Sequence, residues 1–204
     1  MIYQKTAQSS SLPLSLDRAK IKLQIDTEDL DPAAVDAIDI TVTDAINAAA
    51  ELIEDQTKFG LRPTTWTVTL CGWPCFPFCL DRAPAREVTS ISYRDEDGAL
   101  QTLAGSEWTW LPSPTGATVF FIGQNGFPSL ATRPDAVIFE FEAGFDIPGE
   151  TGGTLALTQP ARVTMALSLL TGHYYNNRDE VGETRTYSLA EGATMLLDTV
   201  RLFK

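Results

Sequence analysis

The sequence predicts an α+β chain: an α-helical core of two long helices plus short terminal helices, with an inserted small antiparallel β domain. Three observations predict it. Between Asp31 and Phe59 apolar residues recur every three or four positions, the helical period. From Pro63 to Glu142 the period falls to two, with Pro and Gly between the runs. After Pro160 the helical period returns. Three regions follow: 1–62 with an N-terminal arm and helices, 63–148 as an inserted antiparallel β region, and 149–204 with the second long helix and the C-terminal segment.

The first dozen residues are polar, with Ser9, Ser10 and Ser11 in a row, and read as an arm without fixed structure of its own. After Pro13, Ser15 is placed to cap a short helix with Leu16, Ala19 and Leu23 on one face. Asp31-Pro32 joins a capping acid to proline at the first helical position. That helix is expected to run to about Phe59 and stop at Gly60. Val35, Ile38, Val42, Ile46, Ala49 and Ile53 form its apolar stripe, and Asp36, Asp39, Asp44, Glu51, Glu54 and Asp55 point elsewhere.

TTWTVTL then alternates as a half-buried strand does, and Val88–Tyr93 continues in that way. Asp97-Gly98 signals a hairpin turn. Further strands are expected at Trp108–Leu111, Ala117–Ile122 and Ala136–Glu142. In the last, Val137, Phe139 and Phe141 share one face, and Ile138, Glu140 and Glu142 the other. The pattern describes a small antiparallel sheet or sandwich.

Gly149–Gly153 reads as a loop, and Pro160 opens a helix to about Arg178. Val163, Ala166, Leu167, Leu170 and Tyr174 share a face that Met165 and Leu169 widen, a breadth that implies burial on more than one side. Ser188 and Glu191 have capping-box spacing and would open a last helix carrying Leu189, Leu196, Val200 and Phe203, with Leu197 and Leu202 also apolar. So much apolar surface at a chain end packs on the chain's own core or docks on another subunit.

The 204 residues suffice to bury a core without disulfides or metals. Fifteen Lys+Arg stand against 27 Asp+Glu, a net charge of −12. No basic stripe is visible, which argues against tight nucleic-acid binding but not against a surface past which DNA slides. Ten acids and no Lys or Arg fall between Asp26 and Thr57. The ordinary reading of that segment is a solvated helix face; the functional one is an acidic wall facing DNA or a basic partner. No apolar run is long enough for a transmembrane helix, and the N-terminus lacks the apolar stretch of a secretory signal, so the default compartment is the cytoplasm.

Chemistry is hard to find. Cys71, Cys75 and Cys79 lie four apart, interrupted by Pro74 and Pro77, and read as small buried or edge residues in a β-rich stretch rather than a metal site. His173 is the sole histidine and has no evident catalytic partner in the sequence. Nucleotide-binding loops, the nucleophile elbow and the zinc-protease motif are absent from the sequence. No catalytic residue, cofactor or metal is therefore assigned. Tyr175 and Arg178, at a polar and aromatic helix end, suit either a capped terminus or a subunit interface.

Five phrases, in this order and spacing, resemble the head–tail connector (adaptor) family of tailed phages and gene transfer agents. They are LSLDRAKIKLQID, INAAAELIEDQTKFGLRPTTWTVTL, LDRAPAREVTSISYRDEDGALQTL, RPDAVIFEFEAGF and PARVTMALSLLTGHYYNNRDEV, together spanning most of Leu14 to Val181. The resemblance implies a structural ring subunit of the particle neck, typically in twelve copies, assembled in the bacterial host cytoplasm. Such a ring sits under the portal protein, continues the channel for passing double-stranded DNA without binding it specifically, and receives the stopper or tail-terminator protein. The family's C-terminal segment often reaches into the portal, which maps onto Ser188–Lys204. On that reading Leu189, Leu196, Leu197, Val200, Leu202, Phe203, Tyr175 and Arg178 are interface candidates. Asp36, Asp39, Asp44, Glu51, Glu54 and Asp55 become an acidic face lining the channel. The competing reading is a non-catalytic ligand-binding β module on a helical scaffold, with Trp66, Trp73, Trp108 and Trp110 as contact residues. An enzyme using His173 or the cysteines ranks last.

Overall fold

Strand alternation in the middle of the sequence and helical periodicity on either side resolve into two units in the computed structural model, which describes residues 1–124, 126–147, 157–177 and 191–198. One comprises Met1–Ser9 with Arg62–Phe145, the other Ser10–Leu61 with Asp146–Lys204. The fold is mixed α+β, with four helices and two antiparallel sheets among the described residues.

The β unit contains β1 (Ile2–Gln8), β2 (Thr64–Leu70), β3 (Phe78–Leu80), β4 (Ala85–Arg94), β5 (Leu100–Thr102), β6 (Trp108–Ser113), β7 (Gly116–Phe121) and β8 (Val137–Ala143). A five-stranded sheet has the order β1-β2-β8-β4-β5, and a three-stranded sheet the order β3-β7-β6. β8 is central and alternates as its sequence requires: Val137, Phe139 and Phe141 are fully buried, and Ile138, Glu140 and Glu142 are half-exposed. They join Val68, Val88 and Ile91 of the same sheet and Leu80, Ala117 and Val119 of the other in one core. Each large apolar side chain buried there contributes about 1.5–3 kcal/mol. Residue Asp97-Gly98 makes the expected β4–β5 turn, with Gly98 at φ 81° and its N–H on the Asp95 carbonyl at 2.8 Å. β4 carries two register shifts against β8, which increase the local twist.

Two strand findings differ from the sequence reading. The polar N-terminus is not a structureless arm: Ile2–Gln8 pairs antiparallel with Thr64–Thr69 as an edge strand. Only Tyr3 turns inward, so the strand is held mainly by its backbone ladder and leaves no hydrophobic alternation to read. The short strand β3 pairs with β7 and is equally silent in sequence.

The helical unit contains α1 (Leu16–Leu23), α2 (Pro32–Thr57), α3 (Ala161–Asn176) and α4 (Glu191–Asp198). α2 packs on α3, α4 packs on α3, and α1 touches both α2 and α3. Val42, Ile46, Ala49 and Ile53 of α2 and Val163, Ala166, Leu167 and Leu170 of α3 are fully buried. Asp31 accepts the Ala34 N–H at 2.8 Å, as its position predicts; such a cap contributes about 1 kcal/mol. Ser15 precedes α1, but its side chain makes no capping bond. α2 ends at Lys58 rather than Gly60, with Lys58 left-handed at φ 59° and its N–H on the Glu54 carbonyl. Among the described residues, no helix is long and apolar enough to cross a membrane.

Candidate interaction surfaces

The 26 residues of α2 make seven turns, enough for one face to be buried and the opposite one to be wet. Asp36, Asp44, Glu51 and Asp55 occupy the wet face, all exposed, with Ala37, Ile40 and Ala48 between them. Ile40 is 64% exposed, a large apolar residue among carboxylates.

Two acids expected on that face are elsewhere. Glu54 is buried, because the turn after α2 folds back and the Leu61 N–H donates to Glu54 Oε1 at 3.0 Å. The carboxylate thus serves the helix terminus, not a solvent wall. Asp39 is drawn into an ion pair with Lys20 of α1. Both carboxylates tie parts of the helical unit together.

The C-terminal candidates divide. In α4, Leu197 is buried together with Ala193, so this residue packs on its own unit. Leu196 is half-buried, and Met195, unnoticed in the sequence, is 72% exposed. Tyr175 is half-buried near the end of α3. Leu189, Val200, Leu202, Phe203 and Arg178 lie outside the described residues.

α3 also departs from expectation. Met165 and Leu169, read as widening its buried face, are 47% and 40% exposed. They lie opposite the Val163–Leu170 stripe on the helical wheel, which the broad apolar composition concealed. Together with Gly172 and His173 they face the end of α1 across an open groove of about 590 Å³, bordered by Lys22, Leu23 and Gln24. Gly172 lies beside Leu23, where an added Cβ would make ordinary van der Waals contact at 3.6 Å from Leu23 Cδ2. Among the described residues, no carboxylate lines the groove. His173 has Nδ1 3.4 Å from Asn177 Nδ2 and sits edge-on to Tyr174.

In the β unit the four tryptophans belong mainly to the core. Trp66 is 8% exposed, and Trp73, Trp108 and Trp110 pack against the same cluster. Trp73 donates its indole N–H to the Pro128 carbonyl at 2.9 Å. Phe127, 41% exposed, stacks on Trp73 and Phe76 and lies 4.1 Å from Phe121, an aromatic patch the strand pattern did not announce. The three cysteines are exposed; of the two readings, buried or edge, Cys79 takes the edge one, pointing outward on edge strand β3 while Leu80 beside it points in. Among the described residues, no group of three His, Cys, Asp or Glu is placed to hold a metal ion.

Two carboxylates are tuned at the end of the large sheet. Asp135 is held below its usual pKa by hydrogen bonds from Arg133 and then Arg94, whose Nε atoms lie 2.9 and 2.8 Å from its oxygens. Asp95 is lowered first by Gln101 and then by backbone N–H groups of its own turn. Both fix the β4–β5 hairpin end. Burial pushes the Tyr3 phenol up, and its oxygen accepts the Asp81 N–H at 2.9 Å. All three groups hold parts of the β unit together: Asp95 and Asp135 the β4–β5 end, Tyr3 the edge strand against the Asp81 turn.

No protein-family model matches the chain, and no curated protein matches it in sequence. Solved structures do. A protein in the virion of a native gene transfer agent particle superposes with a TM-score of 0.74 at 21% identity, covering 100% of this chain and 97% of that one. Proteins in the neck of an empty particle of C6 symmetry and in the neck of a native particle of C12 symmetry give TM-scores of 0.72 and 0.64, at 20% and 19% identity over the same shares. The chain therefore has the fold of these particle proteins along its whole length.

Proposed function

We propose that this chain is a structural, non-catalytic adaptor of the neck of a gene transfer agent or phage particle. It forms a ring, of about twelve copies on the C12 neck's precedent, that lies under the portal protein. The ring continues the DNA channel and offers an attachment site to the stopper or tail-terminator protein. The observation that carries this reading is the end-to-end fold likeness to neck proteins. The chemistry agrees: the titratable groups with shifted pKa brace a hairpin and an edge strand, and interaction surfaces are plentiful. A net charge of −12 suits a ring past which DNA must slide, since like charge keeps phosphates from sticking.

The C-terminal segment is the portal-docking element in this reading. Its test uses Met195, which faces solvent, and leaves the buried Leu197 alone. Particles made without the chain are expected to have filled heads and no tails, with tails restored by the wild-type chain but not by Met195→Asp. Normal tail joining in the absence of the chain would sink the proposal.

A further inference from the structure

Among the described residues, Ile40 on α2 and Met165 and Leu169 on α3 are large apolar side chains of the helical unit left exposed. Helical geometry relates them. The buried stripes of α2 and α3 lie on the faces through which these two helices pack. Ile40 and its acidic neighbours lie about half a turn from the first stripe, and Met165 and Leu169 about half a turn from the second. The acidic face of α2 thus lies on the side of that helix away from its buried stripe, while the Met165–Leu169 face of α3 opens on the groove beside α1 and next to Gly192 of α4.

Their chemistries are complementary. One is convex and acidic, with Ile40 protruding between Asp36 and Asp44. The other is a groove lined, among the described residues, by Leu23, Met165 and Leu169 and edged by the cation Lys22. Arg18, exposed one turn before Lys22 on α1, extends the positive edge. The acidic face cannot pair with its own copy about a twofold axis, because carboxylate would meet carboxylate. A surface on one side and its complement on the other make a head-to-tail contact, and repeated rotation through such a contact closes a ring.

We propose that α2 of one copy seats in the α1–α3 groove of the next, with Ile40 on Met165 and Leu169 and with Asp36 and Asp44 toward Lys22. The inference rests on the ring reading above and deepens it by naming the subunit boundary. It moves Asp36 and Asp44 from the channel wall to the seam between copies.

The test uses particles assembled with the full chain carrying Ile40→Asp, Lys22→Glu, or Lys22→Glu together with Asp44→Lys. All three positions are exposed, so the melting temperature and helicity of the isolated variants should match wild type. Each single variant is expected to reduce ring-bearing necks at least tenfold, and the double charge swap to restore them to within about threefold. In particles built from isotopically heavy and light chains, a zero-length carbodiimide cross-link should join Lys22 of one copy to Asp36 or Asp44 of another. Wild-type ring occupancy in both single variants, or cross-links only within one chain, would overturn the contact. So would intact rings that retain or leak DNA abnormally, which would return the acidic face to the channel. If the wild-type chain is itself absent from necks, the adaptor reading falls and the contact falls with it. A ring indifferent to these changes removes the contact alone.

Discussion

Gly144 shows how much one atom can decide. Its φ is 137°, and an added Cβ would be driven into the Arg62 carbonyl oxygen, where the end of β8 passes the start of β2. Gly144→Ala should cost about 3 kcal/mol, read as a lowered denaturant midpoint with unchanged slope. Gly98→Ala, left-handed but in open space, should cost about a third as much. Tyr3→Phe removes only the oxygen that accepts the Asp81 N–H. The expected loss is roughly 1–2 kcal/mol, with faster exchange of the Asp81 amide as the specific readout. Asp135 supplies the pH prediction. Its pKa is depressed by Arg133 and Arg94, so its contribution is present above the ordinary value of 3.8 and lost as pH falls below it. Amide exchange around the β4–β5 hairpin should therefore accelerate in acid below that value, and Asp135→Asn should show the faster exchange already at neutral pH.

At the scale of elements, legibility followed burial. β2, β4 and β8 were readable because each has one buried and one wetter face, and α2 because its cap and stripe agree with each other. β1 and β3 were not, since an edge strand can be held by backbone pairing with little side-chain burial. Glu54 was misplaced because its partner, the Leu61 N–H, is brought near by a chain reversal that periodicity does not encode. Met165 and Leu169 were misplaced because hydrophobic residues on the outer side of a helix look like core until the neighbours are known. Those same misplaced residues define the groove, so the surface hardest to read was the one with most to offer a partner. α4 gives the sharpest element-level contrast. Leu197→Asp should unfold the helical unit, costing about 4 kcal/mol or more, because it buries a charge. Met195→Asp should leave helicity and melting unchanged, since its side chain already faces water.

For the whole molecule, the separation into a β unit and a helical unit suits an adaptor, which must present several surfaces at once. The fold likeness to particle proteins, at 19–21% identity, extends over the whole chain. Under the proposed adaptor role, the acidic charge, the outer face of α2, the α1–α3 groove and Met195 on α4 would serve different contacts within one assembly. The most direct test is a cryo-electron microscopy map of the neck of particles that contain this chain, with the isogenic particle lacking it as reference. The expected map shows a closed ring of this fold, in about twelve copies, between portal and tail. A complete neck in the reference particle, or a map in which this fold occurs elsewhere than the neck, would contradict it.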